Sequence, residues 1–330
     1  MKFKLSILIL LVLIFGSFLL NLTVGNAQVA LLDIFNDDIA RKLILDYRLP
    51  KAIAAILAGI SLPISGWLLQ ELFRNPLADP SVLGISAAAG LGVAVVIFLS
   101  SILGFSAWLN NSWLICLASF IGALFALSII VFFSTKLNST AALIIIGMMI
   151  AGFSTAIIGV FQFFAPSEKI KTYLLWTFGS LSGLSWAQIS VFALMTILGV
   201  FLSMFTLKGI SGLRLGENYA RTMGIHIQQI RWLILIASAI LTAATTAFVG
   251  PIAFIGLAVP HICRMVFKST AVVELYVLVL LTGVLLMLVF AWLAQIFPNG
   301  NLPINIITSL VGAPIVMRIL LNRKYDQWHE

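Results

Sequence analysis

Between Arg48 and Gly92 the chain reads RLPKAIAAILAGISLPISGWLLQELFRNPLADPSVLGISAAAGLG. Two apolar runs flank a short polar turn, and the first run is long enough to enter a bilayer. Pro76 and Pro80 lack amide donors and restrict the residues before them, so R-N-P-L-A-D-P resists becoming helix. This stretch predicts two membrane helices joined by a shaped connection. The second run is rich in Gly, Ala and Ser, which suits either close helix packing or a broken segment near a transporter core.

Composition extends that reading to the whole chain. Hydrophobic residues make up 62% and charged residues 9%, and the mean hydropathy is +1.15. A soluble chain carries about a quarter charged residues, so an all-α polytopic membrane protein is expected. No alternating strands suggest a barrel. The net charge of +8 fits Lys and Arg retained in cytoplasmic loops and calls for no nucleic acid.

Ten transmembrane helices are predicted, at about 5–24, 49–72, 82–102, 112–133, 141–164, 187–207, 232–249, within 249–265, 271–297 and 304–321. MKFK followed by an apolar run has the shape of a signal peptide, but its length favours a retained first helix. Residues 25–47 read as short interfacial pieces, and 165–186 as a loop with a short interfacial helix. Trp108 and Trp113 read as interface anchors. Kinks are expected at Pro63 and Pro260, and an interruption at 312–314. Thirteen of 19 Lys and Arg residues fall on one side when both termini are cytoplasmic; Arg41, Lys42, Arg48, Lys51, Lys169 and Lys171 do not. The chain forms one permease domain, 1–330, of two five-helix halves for which an inverted repeat is permitted.

The polar segment 208–231 contains GENYARTMG, bounded by Gly216 and Gly224, which predicts short helices parallel to the membrane. Gly147, Gly152 and Gly159 mark a thin side of the fifth helix. There is no G-x-x-x-x-G-K-[ST] and no H-E-x-x-H. Cys116 and Cys263, and the three histidines, lack metal-ligand spacing; His261 reads as a satisfied helix-end residue. Asp79 and Glu71 flank a loop, so no acid is expected at mid-membrane. These absences predict no catalytic, cofactor or metal site, and an energy source on another subunit.

The 48–92 stretch closely resembles the hallmark block of the FecCD-type permeases, membrane subunits of ABC importers for ferric siderophores, haem and vitamin B12. LGENYARTMGI, GPIAFIGLAVPHICRM and LPINIITSLVGAPIVMRILL resemble three further family blocks, in the same order. The resemblance implies ten helices per subunit and a homodimer or pseudo-symmetric heterodimer in the bacterial inner membrane. It implies a path at the dimer interface lined by the fifth and tenth helices, where Gly147, Gly152 and Gly159 would lie. Two cytoplasmic ATPases using Mg-ATP supply power, and an extracytoplasmic solute-binding protein delivers a metal-chelate cargo. Gly216, Glu217, Ala220, Arg221 and Gly224 match the segment, about 208–229, that couples to the ATPase. Arg48 and Lys51 match two basic residues that meet acids on the binding protein; the second is usually Arg. No basic residue lies between Ala291 and Leu302, where some relatives place another contact. Ferric siderophore is preferred as the commonest cargo, with haem or vitamin B12 as alternatives. A stand-alone secondary carrier, a membrane enzyme or an anchor are the rival classes.

Overall fold

The computed structural model describes residues 3–25, 37–102, 112–136, 140–296 and 302–321. Trp108, the tail 322–330 and parts of the expected connections (26–36, 137–139, 297–301) lie outside the described residues. Every regular element among the described residues is helical. In chain order these are α1 (Phe3–Thr23), α2 (Asp38–Lys42), α3 (Leu49–Phe73), α4 (Ile85–Ile102), α5 (Ser112–Lys136), α6 (Thr140–Phe164) and α7 (Ser167–Thr177). Then follow α8 (Trp186–Met204), α9 (Leu207–Arg214), α10 (Glu217–Thr222), α11 (Ile227–Val249), α12 (Ile255–Phe267), α13 (Val272–Ile296) and α14 (Ile304–Leu321).

Seven helical stretches among the described residues are long and apolar enough to cross a membrane: α1, continuous α2–α3, α5, α6, α8, α11 and α13. Three apolar helices, α4, α12 and α14, are shorter. Burial ranks them. The most apolar window is 83% buried in α2–α3 and 72% in α11, against 22% in α1 and 17% in α6. So α3 and α11 form the centre of the bundle, and α6 offers most of its surface to whatever surrounds it.

The centre is held by close approach and by hydroxyls. Gly59 of α3 lies against Gly283 of α13, and a Cβ there would sit 2.7 Å from the Gly283 carbonyl oxygen. Ser65 donates to the Ser238 carbonyl at 2.8 Å and meets the Thr242 hydroxyl at 2.8 Å; Ser61 meets Thr196 at 3.1 Å. Apolar surface gives helices no preference for each other over lipid, so small residues and interhelical hydrogen bonds carry the association. Trp67, fully buried, packs edge-on to Tyr276 with ring centroids 5.6 Å apart.

Three expectations are corrected. Residues 37–48 are not pieces separate from the second helix: Asp37 caps α2 by accepting from the Ile39 amide, and a π-helical turn at Leu43–Arg48 continues into α3. Pro50 has no amide to donate and its ring crowds the carbonyl four residues back. The wider turn, in which the Leu49 amide reaches the Ile44 carbonyl, passes that position without ending the helix. α14 also runs unbroken through Gly312–Pro314, as α3 does through Pro63 and α12 through Pro260.

The third correction concerns depth. After α3 the chain turns at Arg74 and folds back into the bundle. A Cβ on Gly256 would touch both Asp79 Oδ1 (2.8 Å) and the Leu62 carbonyl oxygen (3.0 Å). Leu62 lies eleven residues before the end of α3, roughly 16 Å along its axis. Asp79 is therefore a buried acid well inside the bundle, 9% exposed. Its Oδ2 accepts from the Ser81 amide at 3.1 Å and caps the 3-10 turn Pro80–Leu83. A second break, 250–254, precedes α12. Asn305 of α14 holds it by accepting from the Ala253 amide at 3.1 Å, and Ser180 donates its amide to the Val249 carbonyl at 2.7 Å. The first break, through Asp79 and Pro80, lies against Gly256 in the first turn of α12, just after the second.

Candidate coupling segment and translocation path

The polar segment after α8 folds into two short helices at one end of the bundle. Gly216, at φ +112°, and Gly224, at φ +76°, bound α10, and both conformations favour glycine. The Ile225 amide bonds the Ala220 carbonyl at 3.0 Å, closing the helix around Gly224. Glu217 in the first turn and Arg221 in the last match the helix dipole. Ala220 is fully buried, packing with Leu213 and Ile227. Arg221, by contrast, is exposed. Leu215, Tyr219 and Met223 are also exposed, at 66%, 52% and 58%. The result is a small capped knob with apolar and charged side chains facing outward.

The knob is tied down from both sides. Glu217 Oε1 accepts from Arg231 Nη2 of α11 at 2.6 Å, and Gln228 donates to the Ser134 carbonyl of α5 at 2.7 Å. On the other side Arg214 of α9 grips Glu71 of α3 with two bonds, Nε to Oε2 at 2.8 Å and Nη2 to Oε1 at 2.6 Å. Its Nη1 donates to the Thr270 carbonyl at 2.7 Å. Arg74 donates to the Leu213 carbonyl at 2.5 Å. Arg264 of α12 donates to Gln70 Oε1, and its Nη1 lies 3.8 Å from Glu71 Oε1. These residues border a cavity of 420 Å³. Sequence reasoning read Glu71 as a loop-flanking residue. Its scarcity was the available signal: an acid at the end of an apolar helix, in a chain with 11 acids, needs a partner.

At the opposite end lie Arg48 and Lys51, the residues matched in sequence to docking positions, and their side chains are largely packed within the chain. Arg48 is 7% exposed and Lys51 8%. Arg48 Nη1 donates to the Leu22 and Thr23 carbonyls at 2.7 and 2.8 Å. Those carbonyls end α1, where a helix leaves acceptors unsatisfied. The exposed cations just before them are Arg41 and Lys42, about two helical turns ahead of Arg48.

The three glycines of α6 separate. Gly147 packs inside the chain, where a Cβ would sit 2.6 Å from the Leu83 Cα; at Gly152 and Gly159 it would meet nothing within 4 Å. Gly152 and Gly159 share the exposed side of α6 with Met149, Phe153 and Phe163, which are 67%, 68% and 83% exposed. Cys116 and Cys263 are free and buried. His261 is buried inside α12, and no metal-ligand cluster occurs among the described residues.

Comparison with known proteins places this architecture. The model of the FecCD transport family matches residues 8–322. The chain belongs to the FecCD transport family. The Vitamin B12 import system permease protein BtuC of Vibrio vulnificus (strain CMCP6) is 31% identical, covering 86% of this chain and 84% of that protein. The Hemin transport system permease protein HmuU of Yersinia pestis is 32% identical, covering 85% of this chain and 83% of its own length. Among solved structures, one described as an inward-facing conformation of a metal-chelate type ABC transporter superposes with a TM-score of 0.85. It is 27% identical and covers 96% of this chain and 98% of that one.

Proposed function

We propose that this FecCD-family chain is the permease subunit of a binding-protein-dependent ABC importer, working as a homodimer or heterodimer with two cytoplasmic ATPases. The observation that carries the reading is the α9–α10 knob: a capped, outward-facing pair of short helices fastened by Arg214–Glu71 to the central helix. A partner that moves the knob moves α3. Gly216, Glu217, Ala220, Arg221 and Gly224 build that knob, Arg221 supplying an exposed charge and Ala220 the buried seat. The knob end is cytoplasmic and both termini lie on that side. The breaks at 74–84 and 250–254 complete the crossings of α4 and α12, giving ten. The exposed side of α6 with Gly152 and Gly159 faces the partner permease and the path. The chain itself binds no cofactor and breaks no bond; Mg-ATP is used by the partner.

At the other end a solute-binding protein docks, with Arg41 and Lys42 as the exposed cations for its acids, and Arg48 and Lys51 supporting that surface from below. The cargo is a metal chelate, ferric siderophore first, with haem and vitamin B12 as the alternatives that the relatives' activities support equally. Three measurements test the reading. Affinity purification of the tagged chain, co-expressed with its genomic neighbours, recovers an ATPase and a binding protein. Titration of that binding protein with ferric siderophores, haem and cobalamin identifies the cargo. Uptake by vesicles that hold this chain without an ATPase, driven by an ion gradient, refutes the ABC reading.

A further inference from the structure

We infer that Glu71 is the positioning residue that couples the knob to the transport helices, by exchanging partners between Arg214 of α9 and Arg264 of α12. The inference rests on the importer reading and adds a residue mechanism to it. Three observations support it. First, one carboxylate oxygen, Oε1, serves both cations: Arg214 Nη2 at 2.6 Å and Arg264 Nη1 at 3.8 Å. Charge-assisted hydrogen bonds close at about 2.7–2.9 Å, so Arg264 is about 1 Å short of a full bond. Second, the groups belong to three separate elements, and the Glu71 side chain is 5% exposed. A buried carboxylate stripped of its partner is costly, so Glu71 must hold one arginine or the other. Third, the cavity of 420 Å³ bordered by Glu71, Arg74, Arg214 and Arg264 leaves room for the arginines to shift without repacking the core.

The consequence is a two-position latch. With α9 seated, Arg214 grips Glu71 through a fork, and Arg264 rests on Gln70 Oε1. When a partner draws α9 away, Glu71 passes to Arg264, and the end of α3 is fastened to α12 instead. The first turn of α12 carries Gly256, which lies against Asp79, so the change reaches the middle of the bundle through one short helix. Small shifts at such bistable contacts are amplified because packed helices do not deform continuously.

The test uses the full complex of permease and ATPase in nanodiscs. Complex yield, melting temperature and ATP hydrolysis are measured with and without the binding protein. The readout is the ratio of stimulated to basal hydrolysis. E71Q, which is nearly isosteric, is expected to lose stimulation relative to its own basal rate by about fivefold or more, the scale of a site-to-site coupling. E71D is expected to recover part of the ratio. R264M keeps the Arg214 grip and removes the second position, so it is expected to lose the ratio while leaving yield unchanged. A static clamp gives the opposite pattern: E71Q lowers melting temperature and yield while the assembled fraction keeps the wild-type ratio. That result overturns the inference, as does a wild-type ratio in R264M. If the wild-type chain recovers no ATPase at all, the importer reading itself has failed.

Discussion

The crossing of α3 and α13 makes a quantitative prediction at Gly59. An alanine there places its Cβ 2.7 Å from the Gly283 carbonyl oxygen, 2.8 Å from the Val284 Cα and 3.0 Å from the Gly283 carbonyl carbon. All three are backbone atoms, so no side chain can swing aside. Ordinary contact begins at 3.4 Å, so the two helices must part by about 0.7 Å. Overpacking of this kind costs about 1–3 kcal/mol. Alanine also gains about 1 kcal/mol over glycine in a helix interior, which leaves a net loss of about 1 kcal/mol. Gly16 in α1 is the control, because a Cβ there meets nothing within 4 Å. Gly16→Ala keeps the helix gain, so the two variants differ by about 2 kcal/mol, a few degrees in melting temperature. Thermal melting in nanodiscs, followed by the fluorescence of the eight tryptophans, reads the difference. Gly59→Ala melting at or above Gly16→Ala would refute the argument from backbone contact.

Further outcomes follow from the ends of the bundle and from its exposed helix. Arg48→Ala leaves the Leu22 and Thr23 carbonyls without their charged donor, and each such bond is worth about 1.5–3 kcal/mol; a clear fall in melting temperature is expected. By contrast, exchanging exposed Arg41 and Lys42 for Glu leaves melting unchanged and weakens binding-protein affinity at low salt, measured by surface plasmon resonance. Gly152→Trp and Gly159→Trp fit within the isolated chain, so monomer melting is retained while dimer recovery by size exclusion falls. Glu217→Gln breaks a pair whose carboxylate side chain is 44% exposed, so melting changes little, by about 1 kcal/mol or less. Gly216→Ala forces a side chain onto φ +112° and destabilises α10 by about 1–3 kcal/mol, read as lower recovery of ATPase on the permease.

The long helices were legible because a bilayer imposes a simple rule on the residues that cross it. Apolar length alone located α1, α3, α5, α6, α8, α11 and α13 to within a few residues. Gly216 and Gly224 were legible for a local reason, since both need a backbone that favours glycine. Start and stop signals failed where the helix changed pitch. Pro50 reads as a first-turn residue, and only the π turn before it allows the helix to begin at Asp38. The glycines of α6 read as one side by eye, yet Gly147 points into the chain and Gly152 and Gly159 away from it. Composition cannot make that distinction; the neighbouring Pro80–Leu83 turn does.

Glu71 and Asp79 were misread in the same direction, and the reason is physical. In sequence, a charge beside an apolar run looks like a boundary marker, because charges leave lipid. In the bundle, Arg48, Asp79, Arg214 and Arg74 instead answer backbone groups that the helices leave unsatisfied, while Glu71 and Arg264 are held by side chains of the same cluster. Arg48 answers the end of α1, Asp79 the start of a 3-10 turn, and Arg214 and Arg74 the carbonyls of Thr270 and Leu213. Lipid cannot supply those hydrogen bonds, so each interrupted helix needs a polar side chain to close it. The charges therefore mark the interruptions. On the importer reading proposed above, the parts that move are the α9–α10 knob, the Glu71 cluster and the contact of Asp79 with Gly256 of α12, because these are the places where polar side chains rather than continuous helix hold the bundle together.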